Sequence, residues 1–259
     1  KLGKRREMAI SEIFRQHGAA GVIRFAESVS SPGQVGHALG VIADSVIERT
    51  FLPHFLDSAD SKRKALVSGF IWRRYHLKGW EWCDDIDKSD WTREQVGQFL
   101  ACLPFTKGAW DRASEWLQAH ETEYWTRTGA IAYQADGDLA IAIEKLIEHG
   151  RPHAAIQCLD RMRHAKQPID SKQCVRALLA ALSSSESSYA MDGYHIVELI
   201  KFLQADPSVN QDDLFRVEWA YVPLLDSHRG AAPQLLEGRL ANDPEFFCEV
   251  IRLIYRYKR

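Results

Sequence analysis

The 259-residue chain has no convincing run of alternating apolar and polar residues, no cysteine pair at a bridging distance and no long apolar stretch. Without alternation there is no half-buried strand face, so a sheet protein is excluded and the class is all-α. Five cysteines (Cys83, Cys102, Cys158, Cys174 and Cys248) are dispersed, odd in number and without a CxxC. That pattern argues for buried thiols in a reducing compartment, and the localisation it predicts is cytoplasmic. No segment approaches the ~18 uninterrupted apolar residues of a spanning helix. The basic opening Lys1–Arg6 leads into an amphipathic pattern, not the continuous apolar core of a signal peptide. Charge of either sign is not in excess: 33 Lys and Arg against 35 Asp and Glu leave a net charge of −2. Nothing global advertises nucleic acid or an anionic membrane, so neither is a predicted partner. The chain opens on Lys in what reads as mid-helix, which predicts a fragment of a longer protein.

Catalytic patterns are equally scarce. There is no GxxxxGK[ST], no dinucleotide fingerprint and no serine in a GxSxG turn. The acidic run Asp84-Asp85-Ile86-Asp87-Lys88-Ser89-Asp90 fails as a calcium loop, because Asp90 stands where glycine is needed and Val96 where the bidentate Glu belongs. It fails as a DDxxD metal site as well, with Lys88 at the last acidic position. A solvated turn leading into a helix cap is the reading left. His149 and His153 flank a turn but lack two further zinc ligands, since Cys158 falls on the apolar face of the next helix. Neither a cofactor nor a metal is predicted.

What is present is helical periodicity. In Asp138–Leu182, apolar residues at Leu139, Ile141, Ala142, Ile143, Leu146 and Ile147 make a broad stripe capped by Asp138 and closed at Gly150. Pro152 opens a second helix burying Ala154, Ala155, Ile156, Leu159 and Met162. Asp170 or Ser171 caps a third, carrying Val175, Leu178, Leu179 and Leu182. Connections this short force antiparallel neighbours, and such a hairpin must stack on another to hide its remaining apolar surface. Upstream, two helices meet at Gly18 with Ile10, Ile13, Phe14, Val22, Ile23 and Phe25 inward. A longer helical region through Val35, Leu39, Ile42, Val46 and Ile47 breaks near Pro53, and another passes Leu66, Phe70, Ile71 and Tyr75. Downstream, Ser183–Ser188 reads as a flexible loop. Helices follow over about 192–204, after Asn210, and over about 232–241 and 244–256. The predicted divisions are 1–57 (N-terminal helices), 58–135 (a Trp-rich segment) and 136–259 (helical hairpins), forming one continuous α-α superhelix of degenerate, TPR- or HEAT-like hairpins.

Seven of the eight tryptophans lie between Trp72 and Trp125. Large side chains under long loops explain the concentration most simply, as a local aromatic core. A partner surface with tryptophan anchors and a base-stacking platform are the alternatives. The tentative interaction surface comprises Arg73, Arg74, Trp80, Trp82, His149, Arg151 and His153. Nucleic-acid binding through Arg73, Arg74, Arg256, Lys258 and Arg259 would show as affinity falling steeply with salt.

The run Gly150-Arg-Pro-His-Ala-Ala-Ile156 resembles the turn and second helix of a tetratricopeptide repeat. His149-Gly-Arg-Pro-His-Ala-Ala-Ile156, together with Asp213-Leu-Phe-Arg-Val-Glu-Trp-Ala-Tyr-Val-Pro-Leu-Leu225 and Leu240-Ala-Asn-Asp-Pro-Glu-Phe-Phe-Cys-Glu-Val-Ile251, resembles the C-terminal helical-repeat part of large bacterial proteins, some of them STAND-type NTPases. The resemblance spans roughly residues 60–259 and rests on packing residues. It implies a partner- or ligand-sensing arm, with antiphage defence as a setting, and carries over no catalytic residue. The predicted function is therefore a non-enzymatic interaction module whose partner is a protein or other domains of the same chain. The alternative is an all-α enzyme or ligand-binding domain with a site in segment 72–125, marked by a pocket holding Asp85, Asp87 or His76.

Overall fold

The computed structural model describes residues 2–135, 139–188, 191–228 and 230–256, without the side chains at 2, 45, 46, 50 and 256. Among these residues every regular element is a helix. The Asp138 cap, the inward Val46 and the terminal charges at Lys1, Arg256, Lys258 and Arg259 lie outside what is described. The chain forms two compact units, residues 1–136 and 137–259.

In the first unit, α1 (Leu2–Ser28) turns at Gly18, whose φ of 61° suits glycine. It packs on α2 (Pro32–Ile42) and α4 (Ser61–Asp85), with α3 (Ser45–Leu56) between the latter two in sequence. The long helix read through Ile47 is in fact two. It breaks at Ala43, which is extended, and Asp44 Oδ1 accepts the N–H of Ile47 at 2.9 Å to start α3. Pro53 lies inside α3 and does not end it. The α2/α4 pair is the tightest in the unit. A Cβ on Gly36 would overlap the carbonyl of Leu66, and one on Gly69 the carbonyl of Gly33. Only glycine lets the two backbones approach this closely. Phe25, read as inward, is 38% exposed.

After α4 come α5 (Arg93–Ala101), α6 (Lys107–Leu117) and the single turn α7 (Thr122–Trp125). Thr92 and Gln95 form a reciprocal capping box at the start of α5, where Thr92 Oγ1 accepts from Gln95 N at 3.2 Å. Trp82 is buried against Phe99, and Trp110 and Trp125 against Phe105, whereas Trp72, Trp80, Trp91 and Trp116 are half-buried. The aromatic core therefore accounts for three of the seven rings in full, and the other four keep an open edge.

The second unit begins with α8 (Leu139–Glu148), α9 (Pro152–His164) and α10 (Ser171–Ala181). It continues through α11 (Asp192–Ala205), α12 (Gln211–Ala220), the short α13 (Val222–Ser227), α14 (Gln234–Asn242) and α15 (Pro244–Arg256). Contacts run in two rows: α8 to α10 to α12 to α14 in one, and α9 to α11 to α13 in the other. Between the rows Ala154, Ala155, Ile156, Leu159, Leu178, Ile200 and Val217 are fully or almost fully buried, each large aliphatic contributing about 1.5–3 kcal/mol. Gly150 closes α8 at φ 72°, Asp170 caps α10 and Asn210 caps α12.

Among the helices without a side-chain cap on the residue before them are α9, behind Arg151, and α14, behind Pro233. Each borrows a glutamate from far along the chain. Glu186 Oε2 accepts from His153 N at 2.8 Å and Ala154 N at 3.3 Å. Glu218, fully buried, accepts from Leu235 N at 2.8 Å and Leu236 N at 3.1 Å. A carboxylate there satisfies orphan amides and meets the positive end of the helix dipole. The serine-rich stretch around residue 186 is thus tethered, contrary to its reading as a flexible loop.

Candidate functional site

Of the tentative surface residues, four lie in the first unit and three in the second, and each set is taken by itself. Arg74 is 3% exposed and Trp82 5%, so neither can belong to an exposed interaction surface. Arg74 reaches inward from α4: its guanidinium donates to Glu48 Oε1 and, at 3.4 Å, to the carbonyl of Gly40. Arg73 is half-buried, with its stem where a Cβ on Gly40 would project. Trp80 carries the Arg112 guanidinium 4.2 Å above its ring, and Arg112 in turn grips Asp84 with two bonds of 2.7 and 2.6 Å. Those bonds hold the Asp84 carboxyl below its ordinary range.

The rest of the acidic run builds a loop between α4 and α5. Lys88 Nζ donates to the carbonyls of Cys83 and Ile86, both at 2.7 Å, and lies 4.3 Å over Trp116. It closes α4 as a glycine cap would, and burial lowers its ammonium pKa from the lysine value. Gln95 ties α5 to α3, donating to Pro53 O at 2.9 Å and Asp57 Oδ2 at 2.6 Å. Between these fixed walls lies a cleft of about 610 Å³ lined by Glu48, Arg49, Lys78, Trp82 and Trp91, with Asp85, Asp87 and Asp90. The sequence singled out Asp85 and Asp87, and they do converge here. His76 does not; its Nδ1 faces the carbonyl of Trp72 at 2.8 Å. No group of three metal-ligating side chains occurs among the described residues.

In the second unit, His149, Arg151 and His153 surround the α8/α9 turn, all half-buried. Arg151 Nε donates to Glu186 Oε1 at 2.9 Å, and His153 Nδ1 lies 2.9 Å from Asp192 Oδ2. Further along the α9/α11 seam, the buried Asp160 accepts from Arg163 at 2.8 Å, with His164 and His195 at 3.4 and 3.6 Å. Arg151 and His153 are therefore engaged within the unit, Arg151 by Glu186 and His153 by Asp192 at the start of α11. Tyr221 donates to Leu178 O at 2.7 Å, and burial followed by the Asp192 charge pushes its hydroxyl up to about 12. Burial likewise raises the thiols of Cys83, Cys158 and Cys174 to about 12, keeping them protonated near neutral pH.

The exposed chemistry of this unit is apolar. Leu179, Leu182, Phe215, Trp219, Phe246 and Leu253 line a groove of about 380 Å³ over α10, α12 and α15. Leu182, which the periodicity placed on an apolar face, is 51% exposed, and Trp219 is 45% exposed. On α15 the apolar arc extends further, through Phe247, Ile251 and Ile254, all solvent-exposed. The signal for this surface was in the sequence: α15 has apolar residues at 246, 247, 250, 251, 253 and 254, more than one packing partner can cover.

Fold and surface define an all-helical chain in which no described helix is long and apolar enough to cross a membrane. It matches no protein-family model, no curated protein and no solved structure.

Proposed function

We propose that the chain is a non-enzymatic helical-repeat module that recognises a protein partner through the apolar groove of its second unit. The observation that carries this reading is the uncovered face of α15 together with Trp219 and Leu182, a contiguous apolar surface of a kind monomeric proteins rarely leave in water. The two-row contact order of α8–α14 supports a TPR- or HEAT-like superhelix, in which stacked hairpins present such grooves. The occupant is an amphipathic helix of the partner. The groove is walled by helices, its floor is apolar, and Arg216 and Glu249 flank it to read charges on the helix's polar side. The module acts in the cytoplasm, within a larger bacterial protein of the kind that resembles the sensor arm of STAND-type NTPases.

The test compares the wild-type chain with a Trp219→Asp, Leu253→Asp double variant. Both are immobilised against source-cell lysate, and each captured protein is then purified and titrated back. A partner bound by the wild type and lost by the variant, with unchanged circular dichroism, supports the reading. Equal binding to both, or concentration-dependent dimerisation that buries Trp219, overturns it.

A further inference from the structure

The helix α15 is clamped at its start and loose along the rest of its length. Asp243, the single residue between α14 and α15, is extended at φ −119° and ψ 95°, and its Oδ1 accepts the N–H of Phe246 at 3.0 Å. Phe246 then packs on Phe215 and Trp219, at 5.7 and 6.2 Å between ring centroids. The Arg239 guanidinium lies over both phenylalanines, 5.0 Å from Phe215 and 4.7 Å from Phe246. Beyond this clamp the grip ends. The close backbone packing of α15 is with α14, and Leu253, Ile254 and Tyr255 are 54%, 54% and 66% exposed.

The groove of about 380 Å³ runs beside this loose stretch. Val250 and Leu253 follow Phe246 at i+4 and i+7, so the three share one side of α15. That side faces the groove, with Leu179, Leu182 and Trp219 of α10 and α12 also lining it. Both walls are apolar, and each gains by leaving water, either by taking something between them or by closing on each other. A helix is a stiff rod, and its terminal residues absorb the φ and ψ changes of a hinge. At 1.5 Å per residue Leu253 lies about 10 Å beyond Phe246, so a turn of roughly 20° about the clamp swings it by about 4 Å.

We infer that α15 is a lid on the groove. It pivots at Asp243 and Phe246 and lays Val250 and Leu253 on Leu179, Leu182 and Trp219, so the module occludes its own site until a partner helix displaces the lid. This regulatory role rests on the reading of the groove as the partner site. The second stripe of α15, Phe247, Ile251 and Ile254, lies further round the helix and takes no part in closure.

Nitroxide labels on the full chain, read by pulsed electron resonance, test the lid. Cys248, which is exposed, is replaced by Ser, and the other four thiols are buried. Labels are placed through Lys172→Cys with Tyr255→Cys, and through Lys172→Cys with Glu245→Cys, all at exposed positions. The pair ending at 255 should show two distance populations, open and closed, and the pair ending at 245, beside the pivot, only one. Leu253→Asp should deplete the closed population by about tenfold or more, because closure puts that side chain on an apolar wall. Ile254→Asp should leave both populations in place. A single distance for the 255 pair overturns the lid, and so do two populations untouched by Leu253→Asp, the signature of a fraying helix end. A chain with one distance that still captures a partner, and loses it in the Trp219→Asp, Leu253→Asp variant, keeps the groove and loses the lid, so the two readings fail separately.

Discussion

The first unit closes its core with rings and glycines; the second closes its own with alanine and leucine, and leaves one end apolar and open. Where α2 meets α4, backbone lies on backbone, and elsewhere in the unit Trp82 packs on Phe99 while Trp110 and Trp125 pack on Phe105. Where α8–α14 stack, small and aliphatic side chains interdigitate row against row, and the pattern has no intrinsic stopping point. A close-packed aromatic core tolerates almost no change in volume, whereas an open stack tolerates change wherever the next layer is missing.

The sharpest way to break that comparison is Gly36→Leu. A side chain there meets the Leu66 carbonyl, so the first unit should lose more than about 4 kcal/mol and its calorimetric transition, while the second unit melts as before. A single shared loss would show that the units do not fold separately. Next in size, Leu178→Ala in the fully buried interior of the stack should cost about 2–5 kcal/mol in urea titrations. Leu253→Ala, at 54% exposure, should stay within about 0.5 kcal/mol while weakening partner capture.

Caps separate the units more finely. Glu218→Ala leaves two amides of α14 without their side-chain acceptor and the Gln204 amide with only the Ala232 carbonyl, a loss of roughly 3 kcal/mol. Thr92→Ala in the first unit removes one local cap bond, about 1 kcal/mol. The smallest effect is alkaline. Thiols at Cys158 and Cys174 and the Tyr221 hydroxyl have folded values of about 12 against ordinary values of 9.0 and 10.0. A raised folded value leaves stability intact below the ordinary pKa and removes it as pH climbs towards the folded one. The second unit should therefore soften from about pH 9 upward, seen as a falling melting temperature, with Cys248 alkylated well before the buried thiols.

Much of the helical architecture was legible because it is written locally. Gly18, Gly150, Asp170 and Asn210 act within a turn of their own position, and so does the capping box at Thr92. What was not legible depends on distant partners. Arg74 and Trp82 look like surface residues until Glu48, 26 positions away, draws the guanidinium inward. Ser183–Ser188 looks loose until Glu186 is seen holding the start of α9. The α4–α5 cleft was half visible: Asp85 and Asp87 stood out as charges, but Arg49 and Lys78 come from elements whose meeting no local pattern encodes.

The borrowed caps also carry a consequence for the order of events during synthesis. A ribosome adds roughly 5–20 residues per second, from the N-terminus. In the first unit α4 and α5 have their caps as soon as they emerge, since Asp60 and Thr92 directly precede them. By contrast, α9 begins at Pro152 and waits a further 33 residues beyond His153 for the carboxylate that holds it. Translation thus delivers the start of α9 well before its cap, which is complete only once the chain has been extended to Glu186.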